Sequence, residues 1–166
     1  MTTSQGQHSS TTAPALSIGK ALAFATLTIG ILDIADALIF YGLRGVAPHL
    51  IFQSIASGLL GHPAFTGGFR TALLGGALHF FISFVIALVY LVANGRIATL
   101  ADRPFIWGPL YGIAVWAVMY FAVLPLSAAA PSPMKWPVVT DEIAIHIFGV
   151  GLPAALFAAA AQRRRV

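Results

Sequence analysis

Four stretches of the chain, residues 17–41, 70–92, 105–126 and 141–161, are apolar over close to the length needed to cross a bilayer. A helix crosses the hydrocarbon core in about 20 residues. In lipid no water satisfies the backbone, so each segment must close its own hydrogen bonds, which leaves helices as the spanning form. The rest of the composition agrees. The 166 residues are 58% hydrophobic and 8% charged, with a mean hydropathy of +0.88. A soluble domain carries roughly 25% charged residues, so lipid must be the solvent for most of this surface. The fold expected is an all-α membrane protein: a four-transmembrane-helix bundle over residues 17–162, with an extra amphipathic helix between spans one and two.

Breaks between the spans are chemically marked. Asn94-Gly95 and residues 96–104 separate the second from the third, and Pro131, Pro133 and Pro137 separate the third from the fourth. Between spans one and two, Pro48 opens a helix of about 13 residues and Gly61-His62-Pro63 closes it. Its polar His49, Gln53 and Ser57 repeat every four residues, so an interfacial or shallowly dipping helix is expected. Residues 1–16, including His8, are small, polar and nearly uncharged, and read as a disordered cytoplasmic tail. The first apolar run reads as a retained anchor rather than a cleaved signal. Residues 163–166 form a basic end.

Sidedness follows from the basic residues. With four spans both termini share a side. Lys20, Arg96, Arg103 and Arg163–Arg165 lie there, against Arg44, Arg70 and Lys135 opposite. The positive-inside rule then places both termini in the cytoplasm. The net charge of +4 is scattered around apolar runs, so anionic headgroups rather than nucleic acid are the expected counter-charge. The partner expected is the lipid bilayer, with a homo-oligomer through glycine faces as an additional expectation, and Gly108-x-x-x-Gly112 on span three reads as a further small-residue helix contact.

Asp33 and Asp36 stand inside the first apolar run. An ionised carboxylate in hydrocarbon costs a few kcal/mol, so such residues turn to a bundle interior or a wet cavity. At 1.5 Å per helical residue, Asp36 and Asp33 lie roughly 8 and 12 Å below the cytoplasm-distal end of span one, and His79 roughly 13 Å in from Arg70. Glu142 begins span four, and His146 lies about 6–8 Å deeper. All five thus fall in one half of the bilayer. On each helix small residues share the polar face: Gly30 with Asp33, Gly76 with His79, and Gly149 with His146.

Two carboxylates, a glutamate and two imidazoles could hold and pass a proton or cation, which makes Asp33, Asp36, His79, Glu142 and His146 the candidate site. The same residue types match divalent metal ligand sets, although no H-x-x-x-H or E-x-x-H motif occurs. A haem between His79 and His146 is a further alternative. The structural alternative is helix glue: Asp33 pairing with His79, and Asp141 or Glu142 with His146 or Lys135, contacts worth about 0.6 kcal/mol each. With no cysteine, thiolate chemistry is excluded. No Walker-type loop occurs, the Gly67-Gly68 and Gly75-Gly76 pairs have no strand-to-helix setting, and no G-x-S-x-G frames a serine. The expected protein is a non-enzymatic, proton- or ion-responsive membrane protein without a required cofactor; a structural or accessory subunit is the rival.

The stretch His79-Phe80-Phe81-Ile82-Ser83 with Ala87 and Tyr90, then Pro125-Leu126, Asp141-Glu142-Ile143, His146 and Arg163-Arg164, resembles the YagU-type family of small bacterial inner-membrane proteins. The likeness runs from Gly76 to Arg165. Leu32-Asp33-Ile34 and residues 53–58 are similar to other four-span bacterial proteins. The resemblance implies a bacterial cytoplasmic membrane and, through a role in acid tolerance sometimes attached to that family, proton-linked physiology. It supplies no catalytic residues.

Overall fold

The computed structural model describes residues 16–130 and 133–162. The expectations placed on residues 1–15, Pro131 and residues 163–166 lie outside that range. Four helices are long and apolar enough to cross a membrane: Ile18–Gly42, Gly68–Asn94, Pro104–Leu126 and Trp136–Gln162, called spans one to four. The short helix Pro48–Leu60 and a 3-10 turn His62–Thr66 link spans one and two. This is a multi-pass, all-helical membrane bundle.

The helix ends follow from local chemistry. Ser17 caps span one by accepting the Lys20 backbone N–H at 3.4 Å. Pro48 and Pro104 occupy first-turn positions, where a missing N–H is harmless. Pro137 does the same for span four, with extended Lys135 before it. Sequence reading treats Pro137 as a breaker and starts this span near Asp141. It starts at Trp136, so Asp141 and Glu142 sit in its second turn.

The bundle is inverted relative to a soluble protein. Its centre is made of small residues: Ala25 with Ile29, Ala87 with Tyr90, and Ala154, Ala155 and Ala158 with Val150. Large apolar side chains face outward, including Phe69 at 80% exposure and Phe105 at 72%. Such a belt is stable only against lipid. Inside, helices meet at backbone distance. A methyl group added to Gly112 would run into the His146 carbonyl, and one on Gly151 into the Gly108 carbonyl. The Gly108-x-x-x-Gly112 face thus serves the packing of span three on span four within the chain.

Spans three and four each widen into a π turn, Met119–Val123 and His146–Gly151. Two residues past each lies a proline, Pro125 or Pro153. A proline ring cannot donate and clashes with the carbonyl four residues back, here Phe121 or Gly149. Both carbonyls fall inside the widened turns, which relieve the clash.

The short helix does not float on the surface with its polar stripe in water. Gln53 is 1% exposed, and its Nε2 donates to the Gly68 carbonyl at 3.0 Å and to Thr71 Oγ1 at 3.2 Å. Gly75 admits this contact, since a side chain there would meet the Phe52 carbonyl. At the far end the Ala128 N–H donates to the Gly58 carbonyl at 2.9 Å. The helix is thus pinned across the bundle between the start of span two and the link after span three. Gln53→Met, which keeps the length and loses both donations, should lower stability by about 1 kcal/mol, read as a reduced thermal midpoint of the purified protein.

At the opposite end Asn94 Nδ2 donates to Gln162 Oε1 at 2.8 Å. Ile18, Asn94 and Gln162 also line a common hollow, so the start of span one, the end of span two and the end of span four share that side.

Candidate functional site

A cavity of about 270 Å³ occupies the half of the bundle beneath the short helix. All four spans wall it, and Ile51, Ser54 and Ile55 of the short helix form its roof. The five ionisable residues singled out by sequence, Asp33, Asp36, His79, Glu142 and His146, all line it.

His79 is the most constrained of them. The residue is 7% exposed, and its Nε2 lies 2.8 Å from the Gly30 carbonyl. A carbonyl only accepts, so Nε2 carries the proton. Nδ1 then faces Asp33 Oδ2 at 3.9 Å, beyond hydrogen-bond length. Gly30 makes this possible: any side chain there would strike the Phe80 ring and push span two away. Ser83, one turn along, donates to the His79 carbonyl at 2.9 Å.

Span four supplies a second imidazole. His146 Nδ1 donates to the Glu142 carbonyl at 2.7 Å, one turn back, and leaves Nε2 free of that bond. The Glu142 carboxylate is fixed differently, accepting from Trp116 Nε1 at 3.2 Å. Trp116 in turn stacks on Tyr120, with ring centroids 5.6 Å apart and planes inclined by 22°. Both rings line the cavity, as does Tyr41.

Three of these lining residues escape sequence reading as site members. Trp116 carries no mark in an apolar run, although it lies one helical turn from both Gly112 and Tyr120. Tyr120 reads as a headgroup-level aromatic. Asp141 reads as a boundary residue, because span four is expected to begin there. In the structure Asp36 of span one and Asp141 of span four both line the cavity. Arg44, beyond the end of span one, donates to the Phe40 carbonyl at 2.6 Å, its guanidinium 3.4 Å over the Phe40 ring.

The pairings differ from the glue scheme in all but one contact. Asp33 faces His79 as expected. The Glu142 carboxylate meets the Trp116 indole rather than His146 or Lys135. His49 and His62 are exposed, away from the cavity lining. A protein-held metal ion takes at least three protein ligands in most sites. Among the described residues no three His, Asp or Glu side chains gather closely enough to hold one. A bis-imidazole haem would need an unencumbered nitrogen from His79, whose Nδ1 is turned to the Asp33 carboxyl.

Comparison of the chain with protein-family models, curated proteins and solved structures yields no match. Its class therefore rests on the fold and the cavity: an integral membrane protein of four helices with an ionisable cavity in one half of the bundle.

Proposed function

We propose that this is a proton- or ion-responsive protein of a bacterial inner membrane, with both termini cytoplasmic and the cavity in the outer-leaflet half. One observation carries the reading. Ionisable side chains from three separate helices converge on one hollow. Asp33 of span one faces His79 of span two at 3.9 Å, and Asp36 and Asp141 border the same space from spans one and four. Glu142, His146, Tyr41, Tyr120 and the outlying Arg44 complete the charged and titratable surroundings. The unequal distribution of basic residues supports the orientation. The likeness to the YagU-type family, with its attached role in acid tolerance, points the same way.

Infrared spectra of the reconstituted protein test the reading through the C=O stretch of protonated carboxyls. Between about pH 5 and pH 8, where imidazoles ordinarily change charge, the native protein should show a carboxyl band that titrates. Asp33→Asn should diminish it while the protein still accumulates, and adding Asp36→Asn should remove most of the remainder. A spectrum without a titrating carboxyl band rejects the proposal. So does an unchanged band in the double variant.

A further inference from the structure

We propose that the cavity binds a small organic cation, a protonated or quaternary amine about the size of tetramethylammonium. This rests on the proton-responsive reading of the same site and names the chemical class of what it takes up. Charge complementarity is the first ground. Four carboxyl groups line the cavity, Asp33, Asp36, Asp141 and Glu142, and no lysine or arginine does. The second is a buried polar group at the cavity wall: His79 is more than nine-tenths buried, and its Nδ1 lies 3.9 Å from Asp33 Oδ2, beyond hydrogen-bond length.

The walls choose between an organic and an inorganic ion. Ile29, Ile34, Ile51, Ile55, Ile82 and Ile86 all border the space. A bare metal ion finds no three-ligand group among the described residues. Alkyl groups on a cationic nitrogen suit these walls. The remaining wall is aromatic: Trp116, Tyr120 and Tyr41. Aromatic rings attract quaternary and protonated amines through their negative faces, most strongly when desolvated. Trp116 is also oriented in advance, by its hydrogen bond to Glu142 and its stacking on Tyr120. The cavity, about 270 Å³, lies near the lower end of ligand pockets, which begin at roughly 300 Å³. It is therefore scaled to a small cation.

Trp116 reports on the site directly. The chain has three tryptophans, and Trp107 and Trp136 lie on the exterior, away from the cavity. In lipid nanodiscs a Trp107→Phe/Trp136→Phe protein should show a saturable change in Trp116 emission with tetramethylammonium chloride. Equal concentrations of potassium chloride or of neutral tert-butanol should give no saturable change. Asp36→Asn/Asp141→Asn should weaken the response at least tenfold. If that variant does not accumulate, Glu142→Gln, which keeps the indole's acceptor, is read in its place and should also weaken binding. Absence of saturation overturns the proposal, as does an equal response to potassium or to tert-butanol. A titrating carboxyl band with no saturable amine response overturns the cation site and leaves the proton-responsive reading standing.

Discussion

Gly112→Leu should abolish accumulation of the folded protein. The β-carbon it introduces collides with the His146 carbonyl and crowds Ile147 Cα. These are backbone atoms of a packed helix, so no rotamer change clears the way. Overpacking of flexible side chains costs about 1–3 kcal/mol. Here span four must move as a unit, which exceeds that range and breaks the cavity wall carrying Asp141, Glu142 and His146. Gly19→Leu is the control. Nothing lies within 4 Å of a side chain at Gly19, so the same chemical change should leave yield and elution unaltered. Size-exclusion profiles of the two variants, side by side, decide the matter. A monodisperse Gly112→Leu protein with native thermal stability would contradict the packing described.

His79→Phe and His79→Gln should separate what this residue does for stability from what it does for protons. Phenylalanine loses the donation to the Gly30 carbonyl and leaves Asp33 without its neighbour. A lost buried hydrogen bond with an orphaned partner costs about 1–3 kcal/mol, although contacts between membrane helices average nearer 0.6 kcal/mol. Glutamine can still donate to Gly30 but cannot change charge. His79→Gln should therefore keep most of the native thermal midpoint while altering the titrating carboxyl band, whereas His79→Phe should lose both. A glutamine variant with a native infrared titration would mean that His79 only fastens span one to span two.

The spans are legible in the sequence because the bilayer sets their length and apolarity directly. The shared depth of Asp33, Asp36, His79, Glu142 and His146 is legible for a similar reason, since helical rise converts residue number into height. The cavity's aromatic wall is not. Trp116 and Tyr120 carry no charge to distinguish them from lipid-facing neighbours, and only packing decides which way a ring turns. The place of Asp141 in the cavity wall is equally hidden, because it depends on Pro137 opening a helix where prolines more often interrupt one. Gln53 is misplaced on a water-facing stripe because its partners, Gly68 and Thr71, come from the next helix rather than its own. The π turns could be anticipated only from Pro125 and Pro153 once their helical setting is known.

The predominance of alanine at the centre has a practical consequence. Methyl groups interlock poorly, so these helices are held by close approach of their backbones and by the lateral pressure of the surrounding acyl chains. Short-chain detergents remove that pressure and are slim enough to wedge between helices. Extraction should therefore be gentlest in bulky, long-chain amphiphiles or native lipid patches. Preparations in octyl glucoside should splay first at the Gly108–Gly151 contact, and the hollow would be lost with it.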